Sequence, residues 1–535
     1  MSEPGFDPLT PVSTAKGVVG GLAADLASVE GVGYGVGPVA ELLGPMAQRA
    51  LGRDEVLPAA IATAGESAGP LATLTRLWVL GLPVLRGRLD AALPRTRTTG
   101  AVALGLVEAA GGGEHDEVRP LVELNPYAAD DDEWWLASDL THTGRPLRPD
   151  HVLGVGGAST TLARWTPRDR VGAALDIGTG CGVQAFHLAT HAGAVTATDT
   201  STRCLGLTAF NAALNAAVDG GGFAGRELDL RRGSLLDPVA GERYDLVVSN
   251  PPYVITPRDA HRDGAGSAYT YRDAGLTGDD VVRRLVEGVG AVLHPGGTAQ
   301  LLGNWEHHRG HDWRERLGGW LEASGLHGWV VQREVQDPAE YAETWARDGG
   351  QLPGSREQRS MYADWLMDFD RRDVEAVGFG IITLRRPAED AGEPGAARPR
   401  VRRIEDLSGP TAEAMGASVA ALLDAEVWLL GTSDAELLAT RLVVAPDVTE
   451  ERYGRPGAPD PEVILLQQGG GLRRSVRADT ALAGVVGACD GDLALGPLVG
   501  AVAGLIEEPV AALQARILPA VRRLVADGLL TRQPA

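Results

Sequence analysis

The sequence predicts an α/β protein in which a mostly parallel sheet occupies the middle of the chain, with mostly helical units on either side. Three observations lead to this prediction. The chain has 535 residues, which corresponds to roughly two to four domains. Residues 151–390 alternate short apolar runs with helical stretches, as βαβ units do. A segment rich in Pro, Gly, Ala and acidic residues, 391–400, then follows and is typical of a linker.

Residues 1–150 are predicted to form a mostly helical domain that recognises a substrate or partner. Four leucines recur at helical spacing over Leu71–Leu80, and a second helix is expected over Pro83–Leu93. The glycines Gly111–Gly113 predict a turn into a strand near Val118–Leu124. Helices followed by such a strand resemble a winged-helix unit.

The strands of the region 151–390 are predicted from its apolar runs, which are Ala173–Ile177, Ala194–Thr198, Tyr244–Ser249, Thr298–Leu302 and Phe379–Leu384. Because helical stretches separate these runs, most of the strands are expected to lie parallel. Residues 401–535 are predicted to form a further domain. Its last part, Glu507–Leu530, has the pattern of a helix followed by a strand and again resembles a winged helix.

The composition restricts the class of protein. With 44% hydrophobic residues the chain can form ordinary buried cores. Its net charge of -22 differs from the overall positive charge that is typical of nucleic-acid-binding proteins. The three scattered cysteines, Cys181, Cys204 and Cys489, form neither a disulfide framework nor a zinc site, which favours the cytoplasm. No secretion signal precedes Lys16, and no long apolar stretch predicts a membrane span.

A glycine-rich loop follows the first predicted strand of the middle region. Its candidate cofactor-binding residues are Asp176, Gly178, Thr179, Gly180 and Gly182. The glycines allow a tight turn and a close approach between backbone and ligand, and the helix that follows offers free amides to a negative group. Asp176 is placed to accept a hydrogen bond from a ligand amine. A dinucleotide site or a plain turn remains an alternative for this loop, but G-x-G-x-G spacing favours S-adenosylmethionine.

Two later segments extend this candidate site. Asp199 ends the second predicted strand about 20 residues after the loop, where a carboxylate can hold both hydroxyls of a ribose. A helix N-cap is the alternative role for Asp199. At the end of the third strand, Ser234 or its backbone is predicted to meet the amino group of an adenine, and Leu235 is predicted to pack on the ring.

The strand Tyr244–Ser249 leads directly into Asn250-Pro251-Pro252-Tyr253. The two prolines stop the strand and hold the backbone stiff and extended. The Asn250 side-chain oxygen and the Pro251 carbonyl then form two fixed acceptors for an NH2 group, and Tyr253 offers a flat face for stacking. Acceptors of this kind orient a planar nitrogen, whose lone pair is delocalised, and stabilise positive charge as its bond to carbon forms. A structural double-proline turn is the alternative.

Taken together, these segments make the sequence similar to class I S-adenosylmethionine-dependent methyltransferases of the Asn-Pro-Pro-Tyr type. Over about Gly154–Pro387 it most resembles the HemK-type glutamine N5-methyltransferases. The chain as a whole is similar to a group of large actinobacterial HemK-related methyltransferases. Tyr271–Asp279 and His294–Gly297 are similar to further stretches of that family. The resemblance implies a Rossmann-like core with a seven-stranded sheet, and S-adenosylmethionine as cofactor.

The resemblance also assigns roles to residues. The methionine moiety is expected on Asp176, Gly178 and Gly180, the ribose on Asp199, and the adenine near Ser234 and Leu235. Catalytic roles are expected for Asn250, Pro251, Pro252 and Tyr253, and Asn250 is also expected to contact the cofactor.

The sequence departs from the family at several places. Ser234 and Leu235 occupy positions that are often acidic and then aromatic. The loop 254–272 is long and polar and is a candidate substrate lid. The insert Asp337–Asp370, which contains Trp345, Tyr362 and Trp365, lies where the substrate usually sits.

Several functional hypotheses follow. The first is N-methylation of a planar amide or amino nitrogen in a protein, most simply a glutamine side chain, and the acidic charge and Tyr253 favour it. The second is methylation of an adenine or guanine amino group in RNA or DNA, favoured by the two winged-helix-like units. A small-molecule methyltransferase and a non-catalytic scaffold are further alternatives. The adjacent His307 and His308 do not have the spacing of a metal site.

Overall fold

The computed structural model describes residues 10–65, 68–141, 148–218, 223, 227–257, 276–348, 354–388, 399–457 and 461–533. Three predicted features lie partly outside the described residues. These parts are residues 391–398 of the linker, residues 258–272 of the candidate lid, and residues 271–275 of the stretch that resembles the methyltransferase family. No helix within the described ranges is long and apolar enough to cross a membrane.

The N-terminal region combines short helices with antiparallel strands. Its elements are α1 (Lys16–Ser28), α2 (Val36–Leu51), α3 (Leu57–Ala62), α4 (Pro70–Leu74), β1 (Val84–Leu85), α5 (Arg86–Ala92), α6 (Arg97–Ala103), β2 (Val107–Ala109), β3 (Glu117–Pro120), β4 (Glu123–Ala129) and β5 (Asp132–Ser138). A π-helical turn, Thr75–Val79, continues α4. The helix predicted over Pro83–Leu93 starts later, at Arg86, because Val84 and Leu85 pair with β3.

The middle region supplies the central sheet and the helices that cover it. Its elements are α7 (Gly157–Trp165), β6 (Val171–Ile177), α8 (Val183–Ala189), β7 (Ala192–Asp199), α9 (Thr202–Ala216), β8 (Glu227–Arg232), β9 (Tyr244–Ser249), α10 (Asp280–Gly288), β10 (Leu293–His308), α11 (Trp313–Ser324), β11 (His327–Gln336), α12 (Pro338–Asp348), α13 (Arg356–Arg371), β12 (Val374–Arg385) and β13 (Arg402–Asp406). The five strands predicted from apolar runs are all present.

The central sheet has the strand order β8-β7-β6-β9-β10-β12-β11-β13. The first five strands in this order, β8 to β10, are parallel to one another, whereas β12 is antiparallel to both β10 and β11. The first seven strands in this order, with the reversed strand inserted next to last, have the topology of the class I methyltransferase fold. The predicted fold class is therefore confirmed.

An eighth strand extends this sheet beyond the seven that were predicted. Strand β13 pairs in parallel with β11 over the register Gly328–Arg402 to Gln332–Asp406. The sequence predicts that Arg402–Asp406 belong to a separate C-terminal domain, and this prediction is wrong for these five residues. Four of the five side chains are charged, so the segment does not have the pattern of a buried strand. The central sheet therefore takes in residues beyond the segment predicted as a linker.

Both faces of the sheet are buried, as expected for parallel strands covered by helices. One face packs under α8 and α9 and is continuous with the core of the N-terminal region; Phe186 and Phe210 lie in it. The other face packs under α10 and α11, around Leu285, Leu317 and Trp305.

The hairpin of β4 and β5 docks on α9 through two asparagines that lie one helical turn apart. The amide of Asn215 accepts from the Trp135 N–H at 2.9 Å and donates to the Trp135 carbonyl at 2.8 Å. Asn211 accepts from the Ala137 N–H at 2.7 Å and donates to the Ala137 carbonyl at 3.0 Å. The two side chains thus satisfy the edge of β5 as a neighbouring strand would.

The C-terminal region contains two small sheets and several helices. Its elements are α14 (Gly416–Gly431), α15 (Asp434–Ala439), β14 (Arg441–Val444), β15 (Val448–Tyr453), β16 (Val463–Gln468), β17 (Ser475–Ala478), α16 (Thr480–Gly487), β18 (Asp490–Ala494), α17 (Leu495–Leu505), α18 (Val510–Ala526) and β19 (Leu530–Arg532). Strand β14 lies between β18 and β19. The helix and strand expected at the end of the chain correspond to α18 and β19, and the winged-helix resemblance stays a prediction.

Candidate functional site

The predicted site residues come together at the carboxyl ends of four neighbouring parallel strands. Asp176 lies at the end of β6 and Asp199 ends β7, while Ser234 and Leu235 follow β8 and Asn250 follows β9. Because these strands are adjacent in the order β8-β7-β6-β9, the segments line one continuous edge of the sheet. Open α/β sheets bind their ligands at this edge.

The glycine-rich loop has a backbone that only glycine adopts easily. Gly178, Gly180 and Gly182 have φ angles of 75°, 59° and 95°, in the left-handed region. The N–H groups of Gly178 and Thr179 donate to the Thr198 carbonyl at 2.9 and 3.0 Å, which fastens the loop to β7. Apart from the two chain neighbours of Gly180, no heavy atom of the described residues lies within 4 Å of the position its Cβ would take. The loop therefore leaves room for a ligand to approach its backbone.

Asp176 is a buried carboxylate with one free oxygen. Its side chain is 1% exposed, and Oδ2 accepts from the Ala185 N–H at 3.2 Å. Oδ1, and the nearby Thr179 hydroxyl, have no hydrogen-bond partner among the described residues. Burial raises the pKa of Asp176 to about 7. Since buried polar atoms are nearly always paired, this carboxylate fits a site for a ligand amine, and a cationic amine would favour its charged form.

Asp199 holds the glycine loop from the neighbouring strand. Its Oδ2 accepts from the Gly180 N–H at 3.1 Å and its Oδ1 from the Ser201 N–H at 2.8 Å. The Cys204 thiol and the Thr200 N–H are further donors to this carboxylate. Helix α9 is capped by Ser201, whose hydroxyl accepts from the Cys204 N–H. The alternative role of Asp199 as the helix N-cap is therefore wrong.

The turn after β8 lies beside Asp199. The Gly233 N–H donates to the Asp199 carbonyl at 3.0 Å, so the turn is held against the end of β7. Ser234 is exposed, whereas Leu235 is half-buried and packs on the core beneath α10. Leu235 has a φ of 48°, an unusual conformation for a side chain of this size. The two residues thus follow β8 beside the end of β7, and their assignment to the adenine stays a prediction.

Helix α9 contributes two polar side chains that were missed from the sequence. The Thr208 hydroxyl donates to the Gly180 carbonyl at 3.0 Å, and the Asn211 amide donates to the Cys181 carbonyl at 2.9 Å. Asn211 is also one of the two asparagines that dock the β4–β5 hairpin, so it bonds the cofactor loop and the N-terminal region at once. No local sequence pattern indicates this role, because its partner Ala137 lies 74 positions away.

The tetrapeptide 250–253 lies next to the glycine loop. The Ser249 hydroxyl donates to the Ile177 carbonyl at 2.8 Å, and a Cβ built on Gly178 would lie 3.9 Å from the Asn250 carbonyl oxygen. The Tyr253 N–H donates to the Pro251 carbonyl at 2.8 Å. That carbonyl, predicted as a free acceptor, therefore already accepts one bond and keeps one lone pair.

The insert 337–370 packs against the segment that follows the tetrapeptide. Side chains of α12 and α13 form a small core with Val254 and Ile255. The ring of Trp345 meets the ring of Tyr253 edge-on, with centroids 6.4 Å apart and planes at 77°. Burial raises the pKa of Tyr253 to about 12, and the carboxylates of Asp348 and Glu334 add to the rise. The predicted position of the insert beside the acceptor residues agrees with this packing.

The histidines considered as metal ligands have other partners. His307 Nε2 lies 2.8 Å from the Gln332 side-chain oxygen, and His308 Nε2 lies 3.2 Å from Glu306. Within the described ranges there is no cluster of three or more His, Cys, Asp or Glu residues suited to a metal ion.

Residues 154–262 match the Methyltransferase small domain. This span contains the glycine loop, Asp199 and the tetrapeptide. Residues 31–121 and 420–532 match two families described as Domain of unknown function, DUF7059 and DUF7782. Together the three matches follow the division of the chain into N-terminal, middle and C-terminal regions.

Curated relatives match part of the chain. It is 32% identical to a Release factor glutamine methyltransferase of Xylella fastidiosa strain Temecula1, over 24% of this chain and 46% of the relative. The corresponding enzyme of Deinococcus radiodurans is 36% identical, over 31% of this chain and 57% of the relative. A Ribosomal protein uL3 glutamine methyltransferase of Bradyrhizobium diazoefficiens is 33% identical, over 28% and 46%.

The chain thus spans about half the length of these curated relatives. The resemblance to glutamine methyltransferases predicted from the sequence is confirmed for the middle region. Among solved structures, the YcgJ protein of Bacillus is 13% identical with a TM-score of 0.27, over 44% of this chain and 100% of that protein.

Proposed function

We propose that this protein is an S-adenosylmethionine-dependent methyltransferase whose acceptor is the side-chain amide nitrogen of a glutamine in another protein. The observation that carries the proposal is the contact between the two halves of the site. The Asn250 carbonyl lies directly beside Gly178 of the glycine loop, so an amide held by the tetrapeptide adjoins a ligand held by the loop.

The cofactor half of the site would be formed by the residues at the ends of β6, β7 and β8. Asp176 offers a free carboxylate oxygen to the methionine ammonium group, and the ribose hydroxyls would bond the Asp199 carboxylate in competition with the protein donors it already has. Ser234 and Leu235 would border the adenine, and Gly178, Thr179, Gly180 and Gly182 would line the backbone approach. When bound, S-adenosylmethionine supplies an electrophilic methyl group.

The acceptor half would orient the amide nitrogen. The Asn250 side-chain oxygen and the remaining lone pair of the Pro251 carbonyl accept its two N–H hydrogens, while Pro252 keeps the backbone stiff. Tyr253 stacks on the planar amide. As the new N–C bond forms and the bond from the methyl carbon to sulfur breaks, positive charge grows on the nitrogen, and the two acceptors stabilise that charge more than they stabilise the neutral amide. One N–H proton is then lost to solvent, which leaves a neutral N-methyl amide.

Charge around the acceptor half favours a protein over a nucleic acid. Burial is the main cause of the raised pKa of Tyr253, and the carboxylates of Asp348 and Glu334 add a smaller contribution through the negative potential they place there. Such a potential opposes the approach of a phosphodiester backbone. The net charge of -22 acts in the same direction at longer range. The names of the relatives suggest release factors and ribosomal protein uL3 as the first acceptors to assay.

Methyl transfer to a lysate tests the proposal. Purified protein is incubated with methyl-labelled S-adenosylmethionine and a lysate of cells that lack it, and parallel samples are digested with protease or nuclease. We expect label that is released by protease and maps by mass spectrometry to a glutamine. Label released by nuclease would support methylation of a nucleic acid, and label in small molecules would support a small-molecule methyltransferase. No transfer to any fraction would overturn catalysis and support a scaffold.

A further inference from the structure

The segment that leaves the tetrapeptide is buried without the support of a sheet. Ile255 is 0% exposed, yet β9 has ended at Ser249, and in the described segment 250–257 only an isolated bridge at Tyr253 follows it. A buried backbone N–H or carbonyl is costly if it has no partner. The hydrogen bonds of Ile255 must therefore come from side chains.

Both backbone groups of Ile255 are bonded by aromatic residues of the insert. The Ile255 N–H donates to the Tyr341 hydroxyl at 2.8 Å, and the Trp365 indole N–H donates to the Ile255 carbonyl at 2.7 Å. Tyr341 belongs to α12 and Trp365 to α13. Helix α12 therefore binds the N–H of Ile255, and helix α13 binds its carbonyl. The backbone is fixed at two points, two positions after Tyr253.

Tyr341 is itself held rigidly. It is 0% exposed, stacks on Phe379 with ring centroids 5.8 Å apart, and meets Phe369 edge-on at 5.5 Å. Its hydroxyl also accepts from the Asn304 side-chain amide at 3.1 Å. Asn304 belongs to β10, three positions beyond Leu301, which pairs with Ser249. The hydroxyl thus links the sheet to the exit of the tetrapeptide.

The same helix also contacts the acceptor tyrosine. Trp345 lies one turn after Tyr341 on α12, its ring is 6.0 Å from that of Tyr341, and its edge meets Tyr253. Helix α12 therefore fixes the backbone after the tetrapeptide with one aromatic residue and borders the stacking face of Tyr253 with another.

We propose that Tyr341 and Trp365 are positioning residues for methyl transfer: by bonding both backbone groups of Ile255 they hold Tyr253 and Asn250 in the orientation that the acceptor amide needs. This inference rests on the proposed function, but the geometry it describes is independent of the identity of the acceptor. Small displacements of reacting groups lower turnover steeply. The two hydrogen bonds to Ile255 do not involve the cofactor residues on β6 and β7, so their loss should affect turnover more than cofactor binding.

Two substitutions that each remove one hydrogen bond to Ile255 test the proposal. Tyr341→Phe removes the hydroxyl and leaves the ring in its stacks, and Trp365→Phe removes the indole N–H. The matched control is Tyr34→Phe, because Tyr34 is also a buried tyrosine, 1% exposed, whose hydroxyl donates to a backbone carbonyl, that of Leu124, at 2.9 Å. We expect Tyr341→Phe to lower kcat by about tenfold or more, with the cofactor Kd and acceptor KM close to wild type. Tyr34→Phe should lower the melting temperature with kcat unchanged.

A second readout does not require activity. Amide hydrogen exchange should speed up at Ile255 in Tyr341→Phe and stay at the wild-type rate in Tyr34→Phe. Wild-type kcat together with wild-type exchange in Tyr341→Phe would overturn the proposal, as would an equal loss of kcat in the control. If the wild-type protein methylates no glutamine, the proposed function fails, and hydrogen exchange at Ile255 alone then decides whether Tyr341 holds this segment.

Discussion

The two halves of the candidate site are built in different ways. The cofactor half is made mostly of backbone, with three glycines in the left-handed region and a loop fastened to the adjacent strand. The acceptor half depends on side chains from distant parts of the chain, since the residues that hold Ile255 lie 86 and 110 positions away. A short motif can therefore define the cofactor half by itself, whereas the insert is free to change the acceptor half without altering the loop. Substitutions should separate the two halves.

The largest effect is expected at the tetrapeptide. Asn250→Ala removes an oriented acceptor whose stabilisation grows as charge develops, so turnover should fall by about 100- to 1000-fold while the cofactor Kd stays near wild type. Steady-state methyl transfer and calorimetric titration of S-adenosylmethionine measure the two quantities. Full activity in this variant would remove Asn250 from the mechanism.

Asp176→Asn should show the opposite pattern. Replacing the carboxylate weakens a charge-assisted bond to the methionine ammonium, so the cofactor Kd should rise by about 10- to 100-fold. Saturating cofactor should restore much of the turnover, which no concentration of cofactor should do for Asn250→Ala. An unchanged Kd would mean that the free oxygen of Asp176 does not meet the cofactor.

Cofactor affinity should also depend on pH. The pKa of Asp176 is raised to about 7 in the ligand-free chain, and the charged form is the one that binds an ammonium. The carboxylate becomes protonated as pH falls from 8 to 6, so the Kd should rise by about tenfold over this interval. Calorimetric titrations at pH 8, 7 and 6 measure this change. A slope that remains equally steep in Asp176→Asn would assign the titration to another group.

A smaller effect should distinguish the two asparagines of α9. Asn211→Ala and Asn215→Ala each leave backbone groups of β5 without a partner, and each should lower the free energy of unfolding by about 1–3 kcal/mol. Only Asn211 also bonds the Cys181 carbonyl, so only Asn211→Ala should weaken cofactor binding, by about fivefold for one lost hydrogen bond. Equal Kd values in the two variants would show that docking of the hairpin and shape of the loop are independent.

The smallest effect is expected at the edge of the acceptor half. Trp345→Phe shortens the ring that meets Tyr253, and an aromatic pair of this kind is worth about 0.5–1.5 kcal/mol. The acceptor KM should rise about twofold to tenfold with the cofactor Kd unchanged. Trp428→Phe, in the C-terminal region, is the control. A change in the cofactor Kd would contradict the separation of the two halves.

The sequence predicts the cofactor half well for a physical reason. Asp176, the glycines and Asp199 lie in strand–turn–helix units, where the turn itself demands particular residues. The tetrapeptide is equally local, and its prolines mark the end of β9. By contrast Asn211, Tyr341 and Trp365 acquire their roles from partners 74 to 110 positions away. Their residue types fit an ordinary helix, so no local pattern indicates what they hold.

The same reasoning explains what was missed in the fold. The five strands with apolar runs were predicted because burial on both faces requires such runs. Strand β13 was not, since Arg403 and Glu405 are charged. In the structure these charges are matched: Arg403 bonds Asp527 and Glu426 of the C-terminal region, and Glu405 accepts from the Trp329 indole at 2.8 Å. Only the three-dimensional arrangement reveals those partners.

Strand β13 also determines how the protein can be divided. It covers the outer edge of β11, a strand of ten residues whose first six are buried. A chain that ends before Arg402 would expose that edge, with its unpaired N–H and carbonyl groups and the apolar side chains of Trp329 to Val331 beside it. Exposed edges of this kind recruit strands from other molecules. When the middle region is separated from the C-terminal region, it is therefore expected to self-associate. A shortened protein made for crystallisation or assay should retain residues 402–406 together with Glu426 and Asp527, the carboxylates that bond Arg403.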